Sequence, residues 1–138
     1  MASTQQFAAS ALAVALTLGI AGGAQACRVN QPPEARVAHA YDAVVLARVE
    51  RAAPLDGRGW RAQATGIQAV EGEVGPAATV FEIGRTGEPA ACDDGQAIAG
   101  VGETWALYLS RRPDGGFTVS QSYPLDLARR IDPRFQKP

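Results

Sequence analysis

The chain has 138 residues, 20% of them charged, and a formal net charge of −1 at pH 7. This length fits one small domain. The near-neutral balance does not favour nucleic acid or an anionic membrane as a partner.

The first 26 residues are a predicted export signal. They contain no charged residue, are almost wholly apolar between positions 7 and 20, and end in Ala24-Gln25-Ala26, a small-x-small pattern that signal peptidase accepts. The apolar stretch is too short and too rich in Ala and Gly for a permanent span, which needs about 20 strongly apolar residues. A buried N-terminal helix is the alternative. We expect a mature chain of residues 27–138, located in the periplasm or outside the cell.

Cys27 and Cys92 are the two cysteines of the chain. In an exported protein an even count favours a disulfide. Closing so long a loop would stabilise the fold by about 4 kcal/mol in the chain-entropy model. Two alternatives stay open: an intermolecular bond, and a lipid anchor on Cys27. Ala24 is a poor substitute for the apolar residue that lipid processing prefers, so the intrachain bond is favoured.

Start and stop signals predict a short helix at each end of the mature chain. Asn30, followed by Pro32 and Pro33, predicts a capped helix start, with an end near His39 or Tyr41. Residues 124–131 have Pro in their first turn, an early acid and two late arginines, which predicts the second helix. Residues 134–138 are expected to fray.

Alternating apolar positions and β-branched residues predict five strands between these helices. The predicted strands are residues 43–51, 60–70, 78–83, 104–109 and 117–120. Gly66 predicts a bend or bulge in the second strand. Residues 113–116, Pro-Asp-Gly-Gly, predict a hairpin turn, and residues 84–96 a long loop. The fold class is therefore mainly β: a five-stranded OB-like barrel with short N- and C-terminal helices.

The order of these features resembles the netrin-like domain, the OB-fold module of the tissue inhibitors of metalloproteinases and of related bacterial exported proteins. The segment AYDAVVLARV at 40–49 is similar to the family's first strand, and VEGE at 70–73 stands at the turn after its second strand. Cys92, followed by GVGETWALYL at 100–109, is similar to the family's loop cysteine and the strand that follows. The resemblance covers nearly all of residues 27–138.

The resemblance implies a Cys27–Cys92 disulfide and a partner-binding N-terminus. In the inhibitors, the α-amine and carbonyl of the first Cys chelate the protease zinc, and the next residue enters a specificity pocket. This makes Cys27, Arg28 and Val29 the candidate partner-binding residues, and an exported metalloprotease the candidate partner.

Four residues depart from the family's pattern. Val29 stands where the inhibitors usually complete a Cys-x-Cys start, and Arg28 is long and charged where they use a small residue. Ser122 and Tyr123 occupy the place of a further family cysteine. We therefore expect a one-disulfide version of the domain, with protease inhibition as its candidate activity.

Catalytic and metal chemistry find little support in the residues. His39 is the single His, and no Gly-x-Ser-x-Gly is present, so neither a triad nor a zinc site can be assembled. Asp93-Asp94-Gly95 is typical of a turn rather than a calcium loop. We predict a protein that is not an enzyme and has no cofactor or metal.

Two further patterns favour structural roles. Trp60 and Trp105 could stack a ligand, as OB folds do, but aromatic residues on alternating strands more often lie in the core. Arg111-Arg112 beside a hairpin is typical of a solvated tip.

Two functional hypotheses follow. The first is an exported protein-binding module, with metalloprotease inhibition as its candidate activity. The second is a structural or accessory cell-envelope protein, lipid-anchored or not, with an unknown ligand.

Overall fold

The computed structural model describes residues 31–75, 79–87 and 94–136. The predicted signal peptide, Cys27, Arg28, Val29 and Cys92 lie outside these residues. No helix within the described ranges has the length and apolar character needed to cross a bilayer.

The described chain is mainly β, with five strands and two short helices. In chain order the elements are α1 (Pro33–Val37), β1 (Ala43–Pro54), β2 (Trp60–Glu71), β3 (Val80–Arg85), β4 (Thr104–Arg111), β5 (Phe117–Pro124), α2 (Leu125–Ile131) and a 3₁₀ turn (Pro133–Phe135). All five predicted strands are present.

The strands form one antiparallel sheet in the order β3-β2-β1-β4-β5. Because every neighbouring pair is antiparallel, the edge strands β3 and β5 run in the same direction. In the described part of the chain no backbone ladder joins β3 to β5, so the sheet is open along a seam between these two strands. The predicted five-stranded sheet is confirmed, and its closure into a barrel is not part of the observed pairing.

One face of the sheet carries the main core. The predicted alternation of β1 is confirmed, because Val45, Ala47 and Val49 all lie in this core. Trp60 and Trp105 meet edge to face at its centre, with ring centroids 5.4 Å apart. Both rings are almost fully buried. Burying a large apolar side chain contributes about 1.5–3 kcal/mol, so the two tryptophans serve the core, as predicted.

The opposite face of β1, β4 and β5 is covered by the helices. Val37 of α1 and Ile131 of α2 pack there against Tyr108 and Tyr123. This double cover explains why the first half of β1 is buried on both faces, with Val44 in the helix-covered cluster and its neighbour in the main core.

Gly66 lies at the bulge that its position predicted. Leu46 pairs with Gln68, whereas Ala47 pairs with Gly66, so that Ile67 is the extra residue of β2. Bulges of this kind increase the local twist of a strand. The sheet therefore bends between β1 and β2.

The N-terminal helix differs from its prediction. Its N-cap is Pro32 rather than Asn30, no side chain caps it, and it ends at Val37, before His39. With φ held near −65° by the ring, Pro favours the first turn without a side-chain bond.

Several predicted boundaries were wrong because long-range contacts extend the elements: β1 continues to Pro54, β4 to Arg111 and β5 to Pro124. Gly84 and Arg85, predicted as loop, belong to β3, since they continue the ladder opposite Arg61 and Trp60 of β2. At the C-terminus Arg134, predicted to fray, lies in the 3₁₀ turn.

Candidate functional site

A groove of about 280 Å³ lies between the C-terminal halves of β3 and β5, at one end of the seam. Three parts of the chain meet there: α1 through Arg36, the end of β3 through Arg85, and the β3–β4 connection through Asp94. Ser122 of β5 forms the opposite wall. This is the candidate functional site.

Arg85 reaches the seam because of its place in the alternation of β3. Phe81 and Ile83 point into the main core, so Arg85, the next position on that face, points inward at the rim. Its guanidinium carbon lies 5.7 Å from the centroid of the Trp60 ring. An arginine can stack on an aromatic face while its nitrogen atoms stay available for hydrogen bonds.

The Arg85 guanidinium bridges the two edge strands. Its Nη1 donates to the Gly84 carbonyl oxygen of β3 and to Ser122 Oγ of β5, each at 2.9 Å. Its Nη2 donates to the Ser122 carbonyl oxygen at 2.6 Å. The guanidinium thus satisfies backbone acceptors on both edges, which a ladder would otherwise pair. We call Arg85, Asp94 and Ser122 the seam clasp.

Asp94 completes the clasp as the counterion. Its two carboxylate oxygens accept from Arg85 Nε at 2.6 Å and Nη2 at 3.1 Å. The side chains of Arg85 and Asp94 are 13% and 12% exposed. Burial alone would raise the pKa of Asp94, but the hydrogen bonds and charge of Arg85, with help from the Gln96 amide and Arg36, lower it below its ordinary value. The carboxylate is therefore ionised at neutral pH, and its bonds to Arg85 are charge-assisted.

The clasp also holds the β3–β4 loop against the sheet. Asp94 Oδ1 accepts from the Gln96 amide at 3.2 Å, and the Gln96 carbonyl accepts from Trp60 Nε1 at 2.9 Å. The described part of this loop is thereby tied to a residue of the core.

A buried network anchors α1 beside the groove. Tyr108 Oη donates to Asp132 Oδ2 at 2.7 Å, and Arg134 Nε donates to the same carboxylate at 3.0 Å. A further nitrogen of Arg134 donates to the Val37 carbonyl at the end of α1. Asp132 is 1% exposed. Burial and the neighbouring Asp132 carboxylate raise the pKa of Tyr108, so the phenol stays protonated and donating.

The site residues predicted from the sequence lie in different parts of the chain. Cys27, Arg28, Val29 and Cys92 lie outside the described residues, and their roles stay predictions. His39 is exposed in the turn after α1. The Asp94 carboxylate forms an ion pair with Arg85, so its role in the described structure is to stabilise the fold. No group of three His, Cys, Asp or Glu side chains suited to a metal occurs in residues 31–75, 79–87 and 94–136.

Sequence reasoning missed the clasp. Arg85 was assigned to a loop, and Ser122 was noted for the cysteine that it replaces. One signal was available: a charged residue in phase with Phe81 and Ile83 marks a strand end where the inward face meets water.

No protein-family model matches this sequence, and no curated protein matches it either. The netrin-like resemblance therefore remains a proposal that rests on the residues and contacts described above.

Proposed function

We propose that residues 27–138 form an exported, non-enzymatic protein-binding module of the netrin-like class, folded as an OB-like barrel. Its binding edge consists of the mature N-terminus and the β3–β4 loop. The observation that carries the proposal is the meeting of α1 and this loop at one groove, which Arg36 and Asp94 both line.

The strand arrangement supports the barrel. Five antiparallel strands with β1 at the centre and β3 and β5 at the edges suit the OB fold, which is itself a partly open barrel. The seam clasp ties the two edges together where the backbone ladder is missing.

Contacts between the resembling segments support the netrin-like class. The segment at 40–49 and the turn at 70–73 abut, since Gly72 packs against the backbone of Asp42 and Ala43. The ring of Tyr41 contacts that of Tyr108 in a tilted arrangement, with ring centroids 5.2 Å apart. These segments are separate in sequence and adjacent in space, as one shared motif requires.

Chain reach supports the pairing of Cys27 with Cys92. Gln31 accepts from Arg36 Nε at 2.9 Å, and the charge of Arg36 contributes to lowering the pKa of Asp94. Cys27 precedes Gln31 by four residues and Cys92 precedes Asp94 by two, spans of at most about 14 and 7 Å. Gln31 and Asp94, the described residues nearest in sequence to Cys27 and Cys92, thus both lie near Arg36.

The mature N-terminus is the first test. Mass spectrometry of the exported protein should give residues 27–138 with two hydrogens lost to the disulfide and a free α-amine. An acylated Cys27 would block the amine, exclude a chelating N-terminus and favour the lipid-anchored envelope protein. Retention of residues 1–26 would contradict export processing altogether.

The second test is inhibition of a panel of exported zinc endopeptidases by the mature protein. We expect an Arg28→Thr variant, with the smaller residue that the inhibitors use, to inhibit more strongly. Ile98→Thr changes an exposed side chain of the β3–β4 loop and should weaken inhibition. The matched control Ile67→Thr changes an exposed β2 side chain outside the proposed edge and should not. Absence of inhibition by the wild type and Arg28→Thr would leave the envelope role.

A further inference from the structure

A second cavity lies at the other end of the seam, and none of its described lining residues is shared with the groove at the clasp. It has a volume of about 580 Å³ and opens between residues 73–75, the first residues of β3 and the β4–β5 hairpin. Its apolar wall consists of Val74, Val80, Phe81 and Phe117. We call it the mouth cavity.

Arg111 stands at this cavity in a position where the alternation of β4 would place an apolar residue. Trp105, Leu107 and Leu109 face the main core, and Arg111 is the next residue on that side of the strand. Its guanidinium carbon lies 4.7 Å from the centroid of the Phe117 ring. Arg111 is exposed beside the hairpin, as the prediction of a solvated tip implies, and its guanidinium also continues the inward row over an aromatic ring.

The Arg111 guanidinium differs in its charge environment from that of its neighbour Arg112. Within the described ranges no carboxylate lies at ion-pair distance from its guanidinium, whose hydrogen bond to the Gly115 carbonyl is long, at 3.5 Å. Arg112, by contrast, is paired with Asp114 at 3.2 Å. Glu73 also lines the cavity, without an ion pair to either arginine there.

The strand end that carries Arg111 is held in place. Its backbone amide donates to Asp42 Oδ2 at 2.6 Å, and the hairpin closes by a bond from the Arg112 amide to the Gly116 carbonyl at 2.7 Å. Phe81 beneath is buried, while Val80 beside it is 59% exposed. An apolar floor, an exposed aliphatic rim and the Arg111 guanidinium therefore line the same cavity.

We propose that the mouth cavity binds a carboxylate with an apolar body. The carboxylate pairs with the Arg111 guanidinium, whose fork of donors matches two carboxylate oxygens. The apolar body covers Val80, Phe81 and Phe117, as in ligand sites with mostly apolar walls and few polar contacts. The site lies at the opposite end of the seam from the proposed protein-binding edge, so neither proposal depends on the other.

Two sources share this chemistry, a fatty acid and the C-terminus of a peptide that ends in an apolar residue. Titrations of the ¹⁵N-labelled mature protein with octanoate and with N-acetylphenylalanine distinguish them. We expect saturable amide shifts at Val80, Phe81, Arg111 and Phe117 with at least one probe, and the tighter probe names the source. Octanol, which has the tail and no charge, should bind at least about tenfold more weakly than octanoate, because it lacks the charge-assisted bond.

Variants distinguish the contribution of the Arg111 charge to binding from that of the cavity wall. Arg111→Gln should weaken binding about tenfold or more, and Val80→Asp should do the same by repelling the carboxylate while Arg111 stays in place. Arg129→Gln, which removes an exposed arginine of α2, should leave the affinity within about twofold. Amide spectra of each variant verify the fold. The proposal is overturned if neither probe saturates up to about 10 mM, if octanol binds as tightly as octanoate, or if a folded Arg111→Gln variant keeps the wild-type affinity.

Discussion

The Arg85 guanidinium donates to the carbonyl oxygen of Ser122 at 2.6 Å, and this bond connects the two edges of an open five-stranded sheet. The same side chain binds the Gly84 carbonyl on its own strand. Arg85 thus bonds to carbonyl oxygens on both edge strands, where no backbone ladder joins them. Because both side chains are mostly buried, Arg85 requires Asp94 as its counterion.

Removing the arginine of the clasp should destabilise the protein. Arg85→Ala leaves Asp94 buried without its partner and two edge carbonyls unpaired, so we expect a loss of about 2–4 kcal/mol in the free energy of unfolding. Urea denaturation measures it. The control Arg112→Ala breaks the exposed pair with Asp114 and should cost less than about 1 kcal/mol. Equal losses in the two variants would show that the clasp does not stabilise the seam.

The clasp should also give the protein a specific acid sensitivity. The pKa of Asp94 is lowered in the folded chain, so its contribution to stability is complete above its unfolded pKa of about 3.9 and is lost as the pH falls through the folded value. The gap in unfolding free energy between wild type and Asp94→Asn should therefore be constant above about pH 5 and narrow below about pH 4. A gap that does not change with pH would rule out ionised Asp94 as its cause.

The hydroxyl group of Tyr108 should stabilise the packing of α1, since its network with Asp132 and Arg134 reaches the end of this helix. Tyr108→Phe removes the donor to the buried carboxylate of Asp132, and we expect a loss of about 1–3 kcal/mol in unfolding free energy. Tyr123→Phe is the control, because its hydroxyl bonds to the Gln121 amide and to Arg36 rather than to the Asp132 carboxylate, and it should cost about 1 kcal/mol. If Tyr108→Phe is no more destabilising than the control, the network does not anchor the helix.

Two glycines with the same backbone conformation should respond differently to alanine. Gly57 and Gly72 have φ values of 73° and 74°, which cost an L-residue about 1–2 kcal/mol. Around Gly57 the space is open, whereas a Cβ on Gly72 would overlap the carbonyl oxygen of Asp42. Thermal unfolding should show Gly72→Ala to be costlier by a further 1–3 kcal/mol or so, about what overpacking costs. Equal losses of stability in the two variants would mean that the turn at 70–73 adjusts to the added methyl group at no cost in free energy.

Reduction tests the proposed Cys27–Cys92 bond. We expect the oxidised mature protein to be more stable than the reduced one by about 4 kcal/mol in urea, and a Cys27→Ser/Cys92→Ser variant to be insensitive to reductant. Two free thiols in the exported protein, or identical denaturation with and without reductant, would contradict the pairing.

Local pattern was sufficient for much of the fold. The alternation of Val45, Ala47 and Val49 identified the buried face of β1, and Gly66 identified the bulge in β2. Both follow from properties of a single segment, the two-residue period of a strand and the freedom of a residue without Cβ.

The candidate site was beyond such local pattern. Arg85, Asp94 and Ser122 are unremarkable where they stand in the sequence, and they meet because β3 and β5 lie at the two edges of one curved sheet. Arg85 looked like part of a loop since its ladder partner, Trp60, is 25 positions away.

The sequence by itself therefore determined the five strands, the inward faces of the core strands and the two short helices. Only the tertiary structure decided which strands became edges, and with them the positions of Arg85 at one end of the seam and Arg111 at the other. The physical reason is that periodicity within a strand is encoded by neighbouring residues. The partner of a charged side chain at a strand end is set instead by sheet order and curvature, which depend on contacts between distant segments.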